Sequence, residues 1–270
     1  MNDVAGIILV GGASKRYGKP KALEEIDGKT FLERIFKELS EFTNKIFISY
    51  SKKTPRKVME LAIRLGGDLI EDKNLPCTGP PRGVSSISLY SINTHKYYFI
   101  VAVDYPYIKA DTLGKMAEFL EKMGVAALTP LLPDGYLAVT LGYIRGETIK
   151  AMRQSCYLRK HLTRMTDIYR GAESAVYLDW LYLSKNIKEF FNINTPIFQA
   201  YHPPQFIQKR IILSQGHLFL ESLDYIKHGE YRKASILYLQ ESEHYEILGL
   251  PLLTVHAKRD AQKVIELDGS

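Results

Sequence analysis

Residues 4–10 (VAGIILV) are apolar at almost every position and run straight into GGASKRYGKPK. An unbroken apolar run of this length reads as a strand buried on both faces, the kind from which parallel sheets are built. The turn after it narrows the possibilities further. Gly11 and Gly12 let the backbone come close to a ligand, because no Cβ intervenes. Successive N–H groups in such a turn can surround phosphate oxygens. Lys15, Arg16, Lys19 and Lys21 put positive charge beside them. A nucleoside triphosphate is the ligand that matches. Two better-known glycine motifs do not fit. Five residues separate Gly12 from Gly18 and Pro20 follows Lys19, which is not a P-loop. The three glycines also miss the G-x-G-x-x-G spacing. An ordinary strand-to-helix turn with a solvated basic edge is the plain alternative.

The next segments alternate. Thr30 is placed to cap a helix over 31–41, with Glu33 at the capping-box position. Residues 45–49 (KIFIS) read as a strand, 55–65 as a helix and 68–70 as a short strand. Residues 71–83 (EDKNLPCTGPPRG) are dense in turn formers and predict a loop, followed by a helix over 84–94. The strongest strand signal, 97–103, ends in Asp104-Tyr105-Pro106. A helix over 111–123 and strands over 125–130 and 137–143 complete the pattern. This alternation predicts an α/β fold, a doubly wound, mainly parallel sheet with helices on both faces. Ligands of such sheets sit beyond the carboxyl ends of the strands. The loop after the first strand, the loop at 71–83 and Asp104 all fall on that edge.

Beyond Pro203-Pro204 the character changes. Residues 205–264 read as wholly helical, with one apolar stripe of Phe219, Leu223 and Ile226 and another of Ala234, Leu237, Tyr238, Tyr245 and Leu248. A third helix runs from 252 to about 265. The expected organisation is a nucleotide-binding domain over 1–202 and a small all-helical extension over 203–270. That extension either packs on the sheet domain or serves self-association.

Composition excludes several classes. Of 270 residues, 46% are apolar and 24% charged, so disorder is not expected. The net charge of +6 suits a polyanionic partner, but the basic residues are dispersed, which favours phosphorylated small molecules over nucleic acid. The longest apolar candidate, YYFIVAV at 97–103, is strand-sized, and no secretory signal pattern opens the chain. Cys77 and Cys156 alone make neither a disulfide framework nor a zinc ribbon, so reduced thiols and a cytosolic setting are expected. The seven histidines have no metal-ligand spacing, and no Ser-His-Asp set is evident.

Five ordered elements resemble the MobA-type nucleotidyltransferases, the molybdenum cofactor guanylyltransferases. Their opening motif LAGGxSxRMGxDK stands here as Leu9-Val10-Gly11-Gly12-Ala13-Ser14-Lys15-Arg16-Tyr17-Gly18-Lys19-Pro20-Lys21. Their leucine-rich helix is matched by FLERIFKEL at 31–39, and their D…GPLxG segment by Asp72 and Gly79-Pro80-Pro81-Arg82-Gly83. Val103-Asp104-Tyr105-Pro106-Tyr107-Ile108 and Asn192-Ile193-Asn194-Thr195-Pro196 match two later elements. The resemblance covers about residues 4–200. Tyr17, Pro20, Pro81 and Arg82 depart from it. Only Asp134-Gly135-Tyr136-Leu137 stands for an acceptor-side element.

The resemblance implies transfer of GMP from GTP to the terminal phosphate of molybdopterin, with Mg2+ as cofactor. It implies nucleotide contacts from Leu9, Gly11, Gly12, Lys21, Asp72 and Asp104. Arg16 and Lys21 would grip the β- and γ-phosphates. Asp104 would hold the metal, and Asp72 would accept hydrogen bonds from guanine. The Gly11-Gly12 pair itself favours guanine over cytosine, by contrast with related cytidylyltransferases. Asn192 and Asn194 would contact acceptor or metal. Another phosphorylated acceptor such as a sugar phosphate, use of CTP, and a non-catalytic nucleotide-binding regulatory or assembly protein stay open as alternatives.

Overall fold

The computed structural model describes residues 3–11, 20–91, 95–193 and 209–266. Strand β1 (Val4–Leu9) is buried along its whole length. A small hairpin, β2 (Glu25–Ile26) and β3 (Lys29–Thr30), follows, turned by Asp27 and Gly28 at positive φ. Thr30 then caps α1 (Phe31–Ser40). The Glu33 amide donates to Thr30 Oγ1 at 3.2 Å, and the Thr30 amide donates to Glu33 Oε2 at 2.8 Å. This is the reciprocal cap that the sequence predicts. Next come β4 (Ile46–Tyr50), α2 (Arg56–Arg64), β5 (Asp68–Glu71), α3 (Pro80–Ser91), β6 (Tyr97–Ala102), α4 (Ala110–Met123) and β7 (Ala127–Leu131). The chain continues through β8 (Leu141–Arg145), α5 (Gly146–Arg159), α6 (Asp167–Arg170), β9 (Ser174–Asp179) and β10 (Ile211–Gln215). It ends in α7 (His217–Lys227), α8 (Tyr231–Ile247) and α9 (Pro251–Val264).

The main sheet has eight strands in the order β10-β9-β7-β8-β6-β1-β4-β5. Only β8 and β10 run against the rest, since β1 pairs in parallel with β4 and β6, β4 with β5, and β7 with β9. Helix α1 packs on β1 and β4 and meets α4. Helix α3 packs on β1, β4 and β5 and meets α5. The expected doubly wound α/β sheet is therefore the fold. Ile7, Ile8, Ile48, Ile100 and Val101 are fully excluded from water at its centre. Each such side chain contributes about 1.5–3 kcal/mol of hydrophobic stabilisation.

Three readings change. Helix α3 begins at Pro80 rather than 84, because Pro80 and Pro81 occupy the first turn, where a missing amide hydrogen costs nothing. The C-terminal segment holds its three expected helices, but they are preceded by β10, which extends the sheet by antiparallel pairing with β9. A run as short as Ile211-Ile212-Leu213 does not distinguish strand from helix by periodicity. Finally, Cys77 and Cys156 are not thiols. They form a disulfide across 79 residues, with Cα atoms 4.9 Å apart. The pairing depends on α3 packing against α5, which no cysteine spacing reveals, and the thiol argument for a cytosolic setting falls with it.

The C-terminal helices are locked on by buried charge. Arg170 Nη1 lies 2.7 Å from Asp260 Oδ2 on α9, and Arg170 Nε donates to Glu241 Oε1 on α8 at 2.9 Å. Arg159 pairs with Asp167 at 2.5 Å and also with Asp260, whose second oxygen meets Arg164 at 2.6 Å. Three arginines thus balance three carboxylates. The Phe219 ring of α7 stacks 4.6 Å from the Arg170 guanidinium. Burial works against the ionised Asp260, but the three arginines prevail and hold its pKa at about 2. Breaking one side of such a lattice leaves uncompensated buried charge, worth about 3–5 kcal/mol.

A chain ending at residue 208 should therefore fail to give a cooperative thermal transition, because Arg159 and Arg170 would lose Asp260 and Glu241. A soluble, cooperatively melting fragment would contradict this. Thiol titration of the unfolded, unreduced chain should find no reactive cysteine, and two after reduction. Cys77→Ala should lower the unfolding free energy by roughly 2–4 kcal/mol in denaturant titration.

Candidate functional site

The site begins where β1 leaves the sheet. The Val10 amide donates to the Ser49 carbonyl at 3.1 Å, and the Val103 amide donates to the Leu9 carbonyl at 3.1 Å. These bonds tie Val10 and Val103, the first residues past β1 and β6, to Ser49 and Leu9 near the ends of β4 and β1. Gly11 follows and faces Asp72, the residue after β5. A Cβ on Gly11 would stand 3.5 Å from Asp72 Oδ2. Both line a cleft of about 960 Å³, with Leu9, Ser49, Thr78 and Gly83 and with the cations of Lys52, Lys53, Lys73 and Arg82. Gly79, at φ +67°, turns the chain into α3, so the positive end of that helix also borders the cleft.

Asp72 is held in place by its neighbours. Ser49 Oγ donates to Asp72 Oδ1 at 2.8 Å, and the Asp72 amide donates to the Tyr50 carbonyl at 2.8 Å. Burial pushes its pKa above the usual carboxylate value, while the Ser49 hydroxyl and the Arg82 charge act in the opposite direction. Arg82 also braces the loop before α3. Its Nε donates to the Cys77 carbonyl at 2.7 Å and its Nη2 to the Leu75 carbonyl at 2.9 Å. The Cys77–Cys156 disulfide anchors the same loop to α5.

The second part of the site lies past β6, the neighbour of β1. Asp104 Oδ2 is 3.9 Å from Lys21 Nζ, and both side chains are largely shielded. Lys21 opens a short 3-10 turn to Leu23, directly after Pro20, whose extended backbone leads into it. Two other segments brace the Asp104 turn. Arg34 on α1 donates from Nε to the Pro106 carbonyl at 3.0 Å, and the Ile193 amide donates to the Asp104 carbonyl at 3.1 Å. The buried Tyr105 hydroxyl meets the side chains of Thr140 and Asn192. Burial, and then the Asp104 charge, push that phenol far above its ordinary value.

Leu9, Gly11, Lys21, Asp72, Asp104 and Asn192 are thus gathered at the carboxyl edge of β1, β5 and β6. Gly12, Arg16 and Asn194 lie outside the described residues. Ser49 and Arg82 escaped the sequence reading. Ser49 was the one polar side chain in the apolar run IFIS, a signal that is easily taken for a strand end. The Asp134-Gly135-Tyr136 turn lies against Pro251 of α9, which a Cβ on Gly135 would meet at 3.4 Å.

Among the described residues no three His, Cys, Asp or Glu side chains are grouped to hold a metal. Nor is any helix among them long and apolar enough to cross a membrane. The arrangement offers a glycine-lined cleft, cations and single carboxylates. That set aligns a polyanion and neutralises charge as it develops.

The family described as MobA-like NTP transferase domain matches residues 6–175. The chain belongs to this family. It is accordingly a nucleotidyltransferase by family. Among solved structures it is similar to a molybdopterin-guanine dinucleotide biosynthesis protein A from Archaeoglobus fulgidus, with a TM-score of 0.56 and 22% identity. That alignment covers 72% of this chain and 93% of the other, and supports the shared fold. A weaker similarity links it to Rv0371c from Mycobacterium tuberculosis H37Rv, with a TM-score of 0.43 and 12% identity over 58% of this chain and 78% of that one. Another links it to a CMP:2-keto-3-deoxy-manno-octonic acid synthetase complexed with CTP, at 0.45 and 12% over 56% and 78%.

Arg82→Ala should free the 74–79 loop while leaving the sheet intact. Amide hydrogen exchange at 74–79 is expected to speed up by about 10-fold. Unchanged exchange there would mean that the disulfide alone holds the loop.

Proposed function

We propose that this nucleotidyltransferase transfers GMP from GTP to the terminal phosphate of molybdopterin and releases pyrophosphate. The observation that carries this reading is the close approach of Gly11 and Asp72 in the wall of the cleft, with the Lys21–Asp104 pair on the same sheet edge. The archaeal neighbour's name, a molybdopterin-guanine dinucleotide biosynthesis protein, supports the same acceptor and base.

In this reading the backbone of Leu9, Gly11 and Gly12 lies along the nucleotide. Asp72 accepts hydrogen bonds from the guanine edge, which adenine and cytosine do not offer in the same pattern. Lys21, with Arg16, neutralises the β- and γ-phosphates and the pyrophosphate as it leaves. Asn192 and Asn194 face the acceptor. The attacking phosphate monoester is already anionic near neutral pH, so no general base is needed, and alignment supplies most of the catalysis. Asp104 would hold Mg2+. A single carboxylate fits that ion, which takes one or two carboxylates and fills its other positions with phosphate oxygens and water. When bound, the metal would supply charge neutralisation at the phosphates. We assign these roles to residues 1–202 as the catalytic unit. Residues 203–270 complete that unit through β10 and the buried ion lattice, and we propose that their helices also serve self-association.

The test uses GTP labelled at the α-phosphorus, with molybdopterin and Mg2+. Asp104→Ala should reduce turnover by at least about 10³-fold with an unchanged melting temperature. Normal turnover in that variant would remove the metal assignment. Faster incorporation from CTP, or from a sugar phosphate in place of molybdopterin, would replace the substrate assignment. GTP binding without turnover under any of these conditions would favour a non-catalytic nucleotide-binding protein.

A further inference from the structure

Asp72 is fixed by more than its place in the chain. One carboxylate oxygen, Oδ1, accepts from Ser49 Oγ at 2.8 Å, which leaves Oδ2 on the side of Gly11 and the cleft. Ser49 is 2% exposed and sits in β4, directly beside Leu9 in the register of the sheet. The third member is Gly83, in the first turns of α3. A Cβ there would come 2.3 Å from Ser49 Oγ and 3.4 Å from Asp72 Oδ1. No side chain other than glycine's hydrogen leaves the hydroxyl where it is. Three elements, β4, the end of β5 and α3, therefore close on one carboxylate and leave it a single orientation.

We propose that Ser49 is a positioning residue for nucleotide selection: its hydroxyl, in the space left by Gly83, turns Asp72 so that Oδ2 faces the base across Gly11. The inference rests on the reading of Asp72 as the residue that meets the base. Ser49 also lines the cleft, but only 2% of it is exposed and its hydroxyl is engaged by Asp72, so it acts through that carboxylate. It acts by reducing the rotamers open to Asp72, so that the ordering cost is met on folding rather than on binding. It also favours the ionised carboxylate against the burial that disfavours it. Loss of the hydroxyl should thus weaken discrimination between bases, leave the chemical step alone, and move the acid limb of nucleotide binding to higher pH.

The experiment titrates GTP and CTP separately into the full-length protein and its variants, with turnover measured in parallel. Ser49→Ala should raise KM for GTP about 10-fold and shrink the GTP-to-CTP affinity ratio by a similar factor, with kcat within about twofold. The pH at which GTP affinity falls should rise. Gly83→Ala should mimic this effect. The double variant should be no worse than either single one, since removing the hydroxyl removes the clash. Asp72→Asn separates the two levels of argument. If it leaves both KM and the nucleotide ratio unchanged, the base-facing role of Asp72 is wrong. If Asp72→Asn changes the ratio but Ser49→Ala does not, the positioning role is wrong. An effect of Ser49→Ala that persists undiminished in the Asp72→Asn background, or that falls on kcat alone, would also overturn it.

Discussion

The parallel pairing of β1 with β4 and β6 is the constraint on which the site depends. Its register sets Leu9 beside Ser49 on one side and Ala102 on the other. Because parallel strands run the same way, the residues just past β1, β4, β5 and β6 share one edge of the sheet. Gly11 comes within reach of Asp72, and Asp104 emerges on the other side of the same strand. A slip of one residue in β1 would turn every side chain to the opposite face, placing Ile7 and Ile8 in each other's environments. Burial on both faces makes that slip costly, so the position of the glycine turn is secured by core packing and not by the turn itself.

Helix α5 carries two tethers that act at different distances from the cleft. Cys156 binds the loop before α3 through the disulfide, and its Sγ lies 3.2 Å from Ser85 Oγ on α3. One turn later, Arg159 enters the ion lattice with Asp167 and Asp260. Together with Ile149 and Met152, these side chains leave α5 buried on several sides. The helix therefore joins the cleft loop to the C-terminal helices. Burying the ion lattice is costly in desolvation, and apolar residues of the same volume would often serve stability equally well. What the lattice adds is a geometric requirement. Arg159 and Arg170 are satisfied only when α8 and α9 dock in one position. The shared apolar core, which includes Tyr245, Leu250, Leu253 and Ala257, is less demanding of register.

The sequence made the α/β sheet legible because its signals were periodic and locally anchored: the run at 4–10, the Thr30–Glu33 cap, and the strand that ends at Asp104. The convergence of Gly11, Asp72 and Asp104 was also legible, since it follows from topology alone. What remained hidden needed three-dimensional neighbours. The cysteine pair depends on α3 lying on α5. Strand β10 is too short to betray a period and exists because β9 offers it an edge. Ser49 looked like a strand terminus, and its importance appears only once β4, β5 and α3 enclose Asp72. The helix start at Pro80 was hidden in a segment whose prolines and glycines read more naturally as loop.

On the proposed chemistry, the Lys21–Asp104 pair would meet an incoming triphosphate and a cation at one place. Two unit charges 3.9 Å apart attract by about 4 kcal/mol at an effective dielectric constant near 20. That attraction holds both side chains at the sheet edge before any substrate arrives, so little reorganisation is required later. On the proposed chemistry, the γ-phosphate end of the nucleotide takes over as partner for Lys21, and a divalent cation does so for Asp104. Each charge would then meet an opposite partner of higher charge, which would couple the binding of nucleotide and metal. Under that reading no second protein carboxylate is needed, because the triphosphate would supply the remaining oxygens.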